Sequence, residues 1–346
     1  IFNAMSDTLV RRGPDSGGAY ISKNVALIHR RLAVVDLEGG AQPMYKTYNE
    51  REYIIVYNGE LYNSDDLRTE LSEYGISFNS HSDTEAVLSS YIIWGDKCPE
   101  HLNGIFALAI YDKHRRRLFC ARDRAGVKPF FYHMGNDGFI FGSEISTLLS
   151  HPSVPHTIDS NGIGEIFLIG PGRTPGHSAF SEIAELKPGE YAVYDESGFK
   201  KQAYWELKAA EHTDTPEETA EHIRFLLTDS IKRQLVSDVP LCCFLSGGLD
   251  SSIISSVAAS EYQKSNHTLT TYSVDYVDNE KYFKANVFQP NSDDHYIDIM
   301  SKSIGSRHNK VVLDNIDVAD ALYPATLARS LPGMAEVDSS LLLFCR

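Results

Sequence analysis

A stretch rich in glycine and serine, Ser246 to Ser252, constrains this chain more than any other feature. It follows the apolar run 239–245 and precedes a second apolar run, 253–259. That order is typical of a buried strand, a tight turn and the start of a helix. The N-terminus of a helix presents backbone N–H groups to an anion, and adjacent glycines let the backbone approach a phosphate closely. The alternative is a plain Gly-Ser turn, but the stretch favours an α/β unit that binds a phosphorylated ligand.

The turn lacks the lysine that ends the usual P-loop, because leucine and aspartate follow its two glycines. SGGLDSS instead resembles the pyrophosphate loop of the ATP pyrophosphatases, which cleave ATP to AMP and pyrophosphate while activating a carboxylate or a carbonyl. The resemblance implies ATP as a ligand, with Mg²⁺ offsetting the phosphate charge. It predicts ATP-binding residues at Leu245, Ser246, Gly247, Gly248, Asp250, Ser251 and Val274.

Length and composition limit the classes of protein to consider. With 346 residues, two domains are expected, and the net charge of −15 argues against a nucleic-acid partner. The sequence contains no 18-residue apolar run, so we expect no membrane span. Its five cysteines form no CxxC pair, which disfavours a disulfide framework or a zinc site and favours the cytoplasm. No other metal site is predicted.

The two parts of the chain differ in their hydrophobic patterns. Residues 1–207 are rich in apolar and alternating runs that predict strands, among them 25–36, 53–57, 105–111 and 117–122. Helical patterns lie between these runs without a regular βαβ rhythm, which indicates an α+β domain. A polar stretch beginning at residue 208 is typical of a linker. Residues 208–346 then alternate helix, strand and helix, so we predict a parallel, Rossmann-like α/β domain there.

Asn58 and Gly59 follow a buried run in the first domain and have two interpretations. An Asn-Gly pair is a common hairpin turn. The other possibility is an oxyanion hole, in which the Asn58 side-chain amide and the Gly59 backbone N–H stabilise a tetrahedral intermediate of acyl transfer. The pair alone does not decide between these alternatives.

A series of motifs in order along the first domain favours the second interpretation. The series resembles the class II glutamine amidotransferase domain, an N-terminal-nucleophile hydrolase with an αββα sandwich. With SGGLDSS behind it, the whole chain resembles the glutamine-dependent asparagine synthetases. The motifs are HRRLAVVD (29–36), GAQPM (40–44), YNGELYN (57–63), SDTE (82–85), RDRAGVKP (122–129) and GSE (142–144).

The resemblance implies a pocket for free glutamine. Arg31 would clamp the α-carboxylate with its planar guanidinium, and backbone groups at Val35 would line the same pocket. Glu60 and Asp83 would face the ammonium group of the zwitterion. The alternatives are a surface strand arginine at position 31 and a helix cap at position 83.

Two parts of the family pattern are missing from the sequence. The family's nucleophile is an N-terminal cysteine, whereas this sequence begins at Ile1, and neither Cys98 nor Cys120 carries an N-terminal amine. The family's later SGxGxDE motif is also absent. A parallel sheet that ended there would expose an unpaired edge, so we expect a longer natural polypeptide with an incomplete synthetase domain here.

The implied activity is ATP-dependent amidation of aspartate to asparagine, with ammonia from glutamine and a β-aspartyl-AMP intermediate. Glutamine, aspartate and ATP are then the partners, and a homodimer is possible. Three alternatives remain: an amidotransferase with another carboxylate acceptor, a binding scaffold without the nucleophile, and a free-standing glutaminase. SGGLDSS disfavours the last of these.

Overall fold

The computed structural model describes residues 1–285, 287 and 292–346. The chain divides into two compact units, Ile1–Ala209 and Ala210–Arg346. Among the described residues, no helix combines the length and the apolar character needed to cross a membrane.

The first unit alternates short helices with longer strands. Its helices are α1 (Phe2–Thr8), α2 (Ser64–Glu73), α3 (Asp83–Trp94), α4 (Cys98–His101), α5 (Ile145–Leu149) and α6 (Ser160–Gly164), with single helical turns at Gly95–Lys97 and Glu165–Ile169. Its strands are β1 (Ser16–Ile21), β2 (Ala26–Arg31), β3 (Met44–Tyr48), β4 (Arg51–Leu61), β5 (Gly104–Asp112), β6 (Arg117–Arg122), β7 (Phe131–Gly135), β8 (Gly138–Gly142), β9 (Ala184–Glu185), β10 (Glu190–Asp195) and β11 (Gly198–Ala203).

These elements form the predicted αββα sandwich. An antiparallel sheet, β11-β10-β6-β5-β4-β3, occupies the centre. Successive residues of a strand point to opposite faces. Accordingly, Ile55 packs with Leu71 and Leu88 of the α2–α3 layer, whereas Ile54 packs with Leu27 and Phe130 of the second sheet layer. The β1-β2 pair and the β8-β7-β9 sheet form that second layer, and α1 and α5 cover it on the outside.

The structure corrects one local prediction in this unit and excludes one of the two interpretations of another stretch. The apolar run at 25–36 predicted one strand, but β2 ends at Arg31, because the following carbonyl groups turn inward to that side chain. The Asn58-Gly59 pair lies inside β4 and pairs with β5, so it is not a hairpin turn.

The second unit has the predicted parallel α/β architecture. Its three strands, at residues 242–244, 270–276 and 307–313, form one sheet in chain order with parallel pairings, and helices at 249–264 and 293–304 lie between successive strands. A small core of Ala258, Leu269 and Ile304 lies under these helices. The unit contains α7 (Pro216–Arg233), β12 (Cys242–Phe244), α8 (Leu249–Lys264), β13 (Thr270–Tyr276), α9 (Asn279–Tyr282), α10 (Asp293–Ile304), β14 (Arg307–Leu313), α11 (Asn315–Asp320), α12 (Leu322–Arg329) and α13 (Ala335–Phe344).

Candidate active site

A cavity of about 920 Å³ in the first unit brings the predicted glutamine-site residues together. It lies where β2, the free end of β4 and the start of α3 meet. Its walls therefore include the cationic side chain of Arg31, the carboxylates of Glu60 and Asp83, and a strand edge. The predicted residues that line it are Arg31, Val35, Asn58, Gly59, Glu60 and Asp83.

Arg31 forms the cationic wall and is only 8% exposed, so it is not a surface arginine. Its guanidinium donates to the carbonyl oxygens of Val35 and Asp36 at 2.8 Å each and to that of Leu37 at 3.0 Å. These bonds use three of the five N–H groups that an arginine carries. Arg31 thus shapes the 35–37 loop while it places a positive charge in the cavity wall.

The free edge of β4 forms a second wall. The Tyr57 N–H donates to Gln42 Oε1 at 2.6 Å, and the Leu61 N–H donates to Asp83 Oδ2 at 3.1 Å. Alternate residues of a strand direct their N–H groups to the same edge. Gly59 lies between these two residues, beyond Ile55, where the pairing of β3 with β4 ends. The Gly59 N–H therefore faces the cavity side of the sheet.

The register with β5 supports this orientation. Gly59 lies directly opposite Phe106, whose N–H donates to Asp123 Oδ2 at 3.1 Å and whose carbonyl accepts from the Asp123 N–H at 2.8 Å. The polar backbone groups of Phe106 thus point away from Gly59, and the glycine's own groups point away from β5. A Cβ atom at position 59 would lie 2.4 Å from the Ile105 carbonyl oxygen, so the close approach of β5 requires glycine.

The side-chain amide of Asn58 adjoins this edge. Its Nδ2 atom donates to the hydroxyl of Ser143 at 3.4 Å, and Ser143 also lines the cavity. An amide nitrogen carries two N–H groups, so one remains for a ligand. The Asn58 amide and the Gly59 N–H are therefore available as the two donors of an oxyanion hole.

Asp83 and Glu60 form the acidic wall. Asp83 is the first residue of α3, but the preceding Ser82 is its N-cap and accepts from the Thr84 N–H. Burial raises the pKa of Asp83, and the nearby charge of Glu60 raises it further. A cation close to the two carboxylates would stabilise their ionised forms and so lower the pKa of Asp83 again. The acidic wall therefore suits a ligand ammonium group.

His29 and Gln42 were not predicted as site residues, although both belong to motifs of the series. His29 Nε2 lies 3.0 Å from the Tyr57 carbonyl oxygen, which also accepts from Gln42 Nε2 at 3.0 Å. Burial lowers the pKa of His29 to about 4, so the ring is neutral at pH 7. Its Nδ1 atom is buried and has no hydrogen-bond partner among the described residues. Both side chains fix the β4 edge beside the cavity.

Cys98 and Cys120 do not line the cavity. Both are fully buried in the cores of the first unit, and burial raises the pKa of each thiol. Buried thiols of this kind are poor nucleophiles. Neither cysteine is available to attack a ligand in this cavity.

The Ser246–Ser252 stretch follows the carboxyl end of β12 in the second unit and includes the first turn of α8. Gly247 has φ +79, and a Cβ atom there would lie 2.9 Å from the Asp293 carbonyl oxygen. The hydroxyl groups of Ser246 and Ser251 are 3.0 Å apart, and Ser251 also donates to the Gly248 carbonyl. In open α/β sheets, ligands bind at this end of the strands.

The remaining predicted ATP residues surround this loop. Leu245 is buried and donates its N–H to the Tyr272 carbonyl of β13 at 2.8 Å. Val274 lies two residues further along β13, and Asp250 is exposed in the first turn of α8. Among the described residues, no group of three or more His, Cys, Asp or Glu side chains could hold a metal ion.

Comparison with protein families identifies the first unit. Residues 1–205 match the model of the glutamine amidotransferase domain. The chain belongs to the glutamine amidotransferase family. Residues 222–346 match the asparagine synthase model, so this amidotransferase chain joins the two domains of the predicted family.

Curated relatives support the same family. Asparagine synthetase [glutamine-hydrolyzing] 3 of Bacillus subtilis is 50% identical over 99% of this chain and 56% of its own length. Asparagine synthetase B of Escherichia coli is 33% identical over 73% of this chain and 40% of its own length. The amidotransferase chain thus spans about half the length of the relatives it matches.

A solved structure, glutamine phosphoribosylpyrophosphate amidotransferase of Bacillus subtilis, matches 82% of this chain and 51% of its own, with 15% identity and a TM-score of 0.38.

Proposed function

We propose that this protein takes part in glutamine-dependent synthesis of asparagine. The observation that carries the proposal is the cavity that combines Arg31, Glu60 and Asp83 with the free N–H of Gly59. The guanidinium of Arg31 suits the carboxylate of a free amino acid, Glu60 and Asp83 suit its ammonium group, and the strand edge supplies the donor that amide hydrolysis needs.

In the first unit, Arg31 binds the α-carboxylate of glutamine, and Glu60 and Asp83 bind its ammonium group. The described lining contains no cysteine, so we assign the attack to the N-terminal cysteine that the family resemblance implies for the complete polypeptide. Attack of its thiolate on the side-chain amide carbon releases ammonia, and water then hydrolyses the thioester to glutamate. Asn58 and Gly59 stabilise the oxyanion that forms in both steps.

In the second unit, the Ser246–Ser251 loop binds the pyrophosphate part of ATP. The β-carboxylate of aspartate attacks the α-phosphorus and displaces pyrophosphate, and ammonia then attacks the acyl carbon and displaces AMP. The loop suits the phosphates because its glycines bring the backbone close and its hydroxyls add donors. Mg²⁺ usually binds through one or two carboxylates and substrate phosphates, so we propose that it arrives with ATP and that Asp250 contributes to its binding.

We also propose a cytoplasmic location. It is supported by the five cysteines, which form no disulfide. A homodimer stays a prediction.

Two substitutions, each with a matched control, test this division of labour in the full-length protein. Arg31→Ala should abolish asparagine formation from glutamine but not from ammonia, because it removes only the glutamine clamp. Asp250→Ala should reduce formation from either nitrogen source. Lys113→Ala and Asp229→Ala replace residues of surface ion pairs and should change neither activity.

Asparagine, AMP and pyrophosphate would be measured with each nitrogen source. Equal loss of both activities in Arg31→Ala would contradict the assignment of glutamine to the first unit. Unchanged pyrophosphate release in Asp250→Ala would remove the assignment of the loop.

A further inference from the structure

Asp36 follows the cavity residue Val35 but does not line the cavity itself. Its backbone has φ +50, a left-handed conformation that few residues other than glycine adopt. Its carbonyl oxygen accepts from Arg31 Nη2 at 2.8 Å. The unusual backbone at Asp36 thus belongs to the turn that Arg31 holds.

The carboxylate of Asp36 reaches a distant part of the chain. Oδ1 accepts from the Gly39 N–H at 2.9 Å, and Oδ2 accepts from the His81 N–H at 2.8 Å. The Ser82 N–H also bonds to this carboxylate, and Ser82 is the N-cap of the helix that begins with Asp83. Although burial raises the pKa of Asp36, these three N–H groups lower it overall, which keeps the group ionised at pH 7.

Two glycines lie close to this carboxylate and to its arginine partner. A Cβ atom at Gly39 would lie 2.5 Å from Asp36 Oδ2, and one at Gly40 would lie 2.1 Å from Arg31 Nη2. Both glycines therefore permit the close approach of the loop to the two charged side chains.

We propose that Asp36 is a positioning residue for the glutamine site. Its backbone is fixed by Arg31, and its carboxylate fixes the segment that carries Asp83, so it joins the cationic wall to the acidic wall. The distance between these walls has to match the distance between the two charges of a free amino acid. This inference rests on the proposed function of the same cavity.

The substitution Asp36→Asn tests the proposal in the full-length protein. Asparagine tolerates the left-handed backbone, so the turn itself is preserved. The asparagine side chain, however, has an amide nitrogen in place of one carboxylate oxygen. That nitrogen is a donor and cannot accept the hydrogen bond from a backbone N–H. Because hydrogen bonds to charged groups are the stronger ones, we expect the KM for glutamine to rise about tenfold, with kcat changed much less. Ammonia-driven synthesis should stay within about twofold of wild type, since the loop lies in the first unit.

Asp195→Asn is the matched control. Asp195 also accepts from a backbone N–H, that of Ser197 at 2.7 Å, but it is the last residue of β10 and does not line the cavity. It should leave the KM for glutamine unchanged. Gly39→Ala is a second variant, because it displaces the Asp36 carboxylate without removing it. It should also raise the KM, and the double variant with Asp36→Asn should show less than the sum of the two effects.

The outcomes separate this inference from the proposed function. A KM for glutamine in Asp36→Asn equal to that of Asp195→Asn overturns the inference, even if wild type hydrolyses glutamine. The inference is also overturned if, in both Asp36→Asn and Gly39→Ala, the glutamine-driven kcat and the ammonia-driven synthesis fall by the same factor. Such a result indicates a purely structural role. Absence of glutamine hydrolysis in wild type contradicts the proposed function instead.

Discussion

Replacement of Gly59 by alanine is the sharpest perturbation of the proposed oxyanion hole. The added Cβ would lie 2.4 Å from the Ile105 carbonyl oxygen and 2.8 Å from Phe106 Cβ. Such atoms stay at least 3.0 Å apart, so β4 and β5 would have to separate locally by about 0.6 Å. Overpacking of this kind costs about 1–3 kcal/mol of stability, and the shift displaces the Gly59 N–H from its position.

The catalytic effect follows from that displacement. Loss of one oxyanion donor lowers kcat by about 10²–10³, and a misplacement near 1 Å costs about 10². We therefore expect glutamine-driven kcat to fall about 100-fold in Gly59→Ala, with a much smaller change in the KM for glutamine. Ammonia-driven synthesis should persist, because it uses the second unit.

The assay measures glutamate release and asparagine formation with each nitrogen source, together with the thermal unfolding temperature. Gly164→Ala is the control, since among the described residues a Cβ there approaches a single atom, Leu168 Cδ1, at 4.0 Å, and its activity should equal wild type. A glutamine-driven kcat equal to that of wild type in Gly59→Ala would contradict the assignment of the Gly59 N–H as an oxyanion donor. An effect confined to the KM would also refute it, because it would make Gly59 a binding residue.

Three further changes have directions set by the structure. Ser143→Ala removes the acceptor that orients the Asn58 amide, so glutamine-driven kcat should fall by up to about tenfold at constant KM, as steady-state kinetics can show. Because burial raises the pKa of Asp83 and the ligand ammonium needs its ionised form, kcat/KM for glutamine should fall as the pH drops through that raised pKa. A pH profile without this acidic limb in wild type would contradict the assignment. Gly247→Ala forces a side chain onto a left-handed backbone and toward the Asp293 carbonyl, so pyrophosphate release should fall with either nitrogen source.

Sequence patterns predicted the elements that have continuous apolar or alternating runs. The central strands β4, β5 and β6 belong to this class. Strand β1 was missed because it begins Ser-Gly-Gly, and strand β11 was missed because it is a polar edge strand. Neither has the hydrophobic alternation that marks a strand in a sequence.

The candidate site shows a similar limit. Motif resemblance predicted the types of residue in the cavity, and the structure brings them together. The resemblance did not predict that the Asp36 carboxylate accepts from the His81 N–H, because 45 residues separate the two and only the tertiary fold makes them neighbours. The neutral state of His29 was not predictable either, since it results from burial against β4.

The most direct test of the proposed function is to follow the amide nitrogen from glutamine to asparagine. The full-length protein would be incubated with glutamine labelled with ¹⁵N in its side-chain amide, together with aspartate, ATP and Mg²⁺. Glutamine-dependent synthesis of asparagine predicts a product that carries the label in its side-chain amide, with one AMP and one pyrophosphate formed for each asparagine. Glutamate and free labelled ammonia without AMP would contradict it, and so would AMP formation that depends on a carboxylate other than that of aspartate.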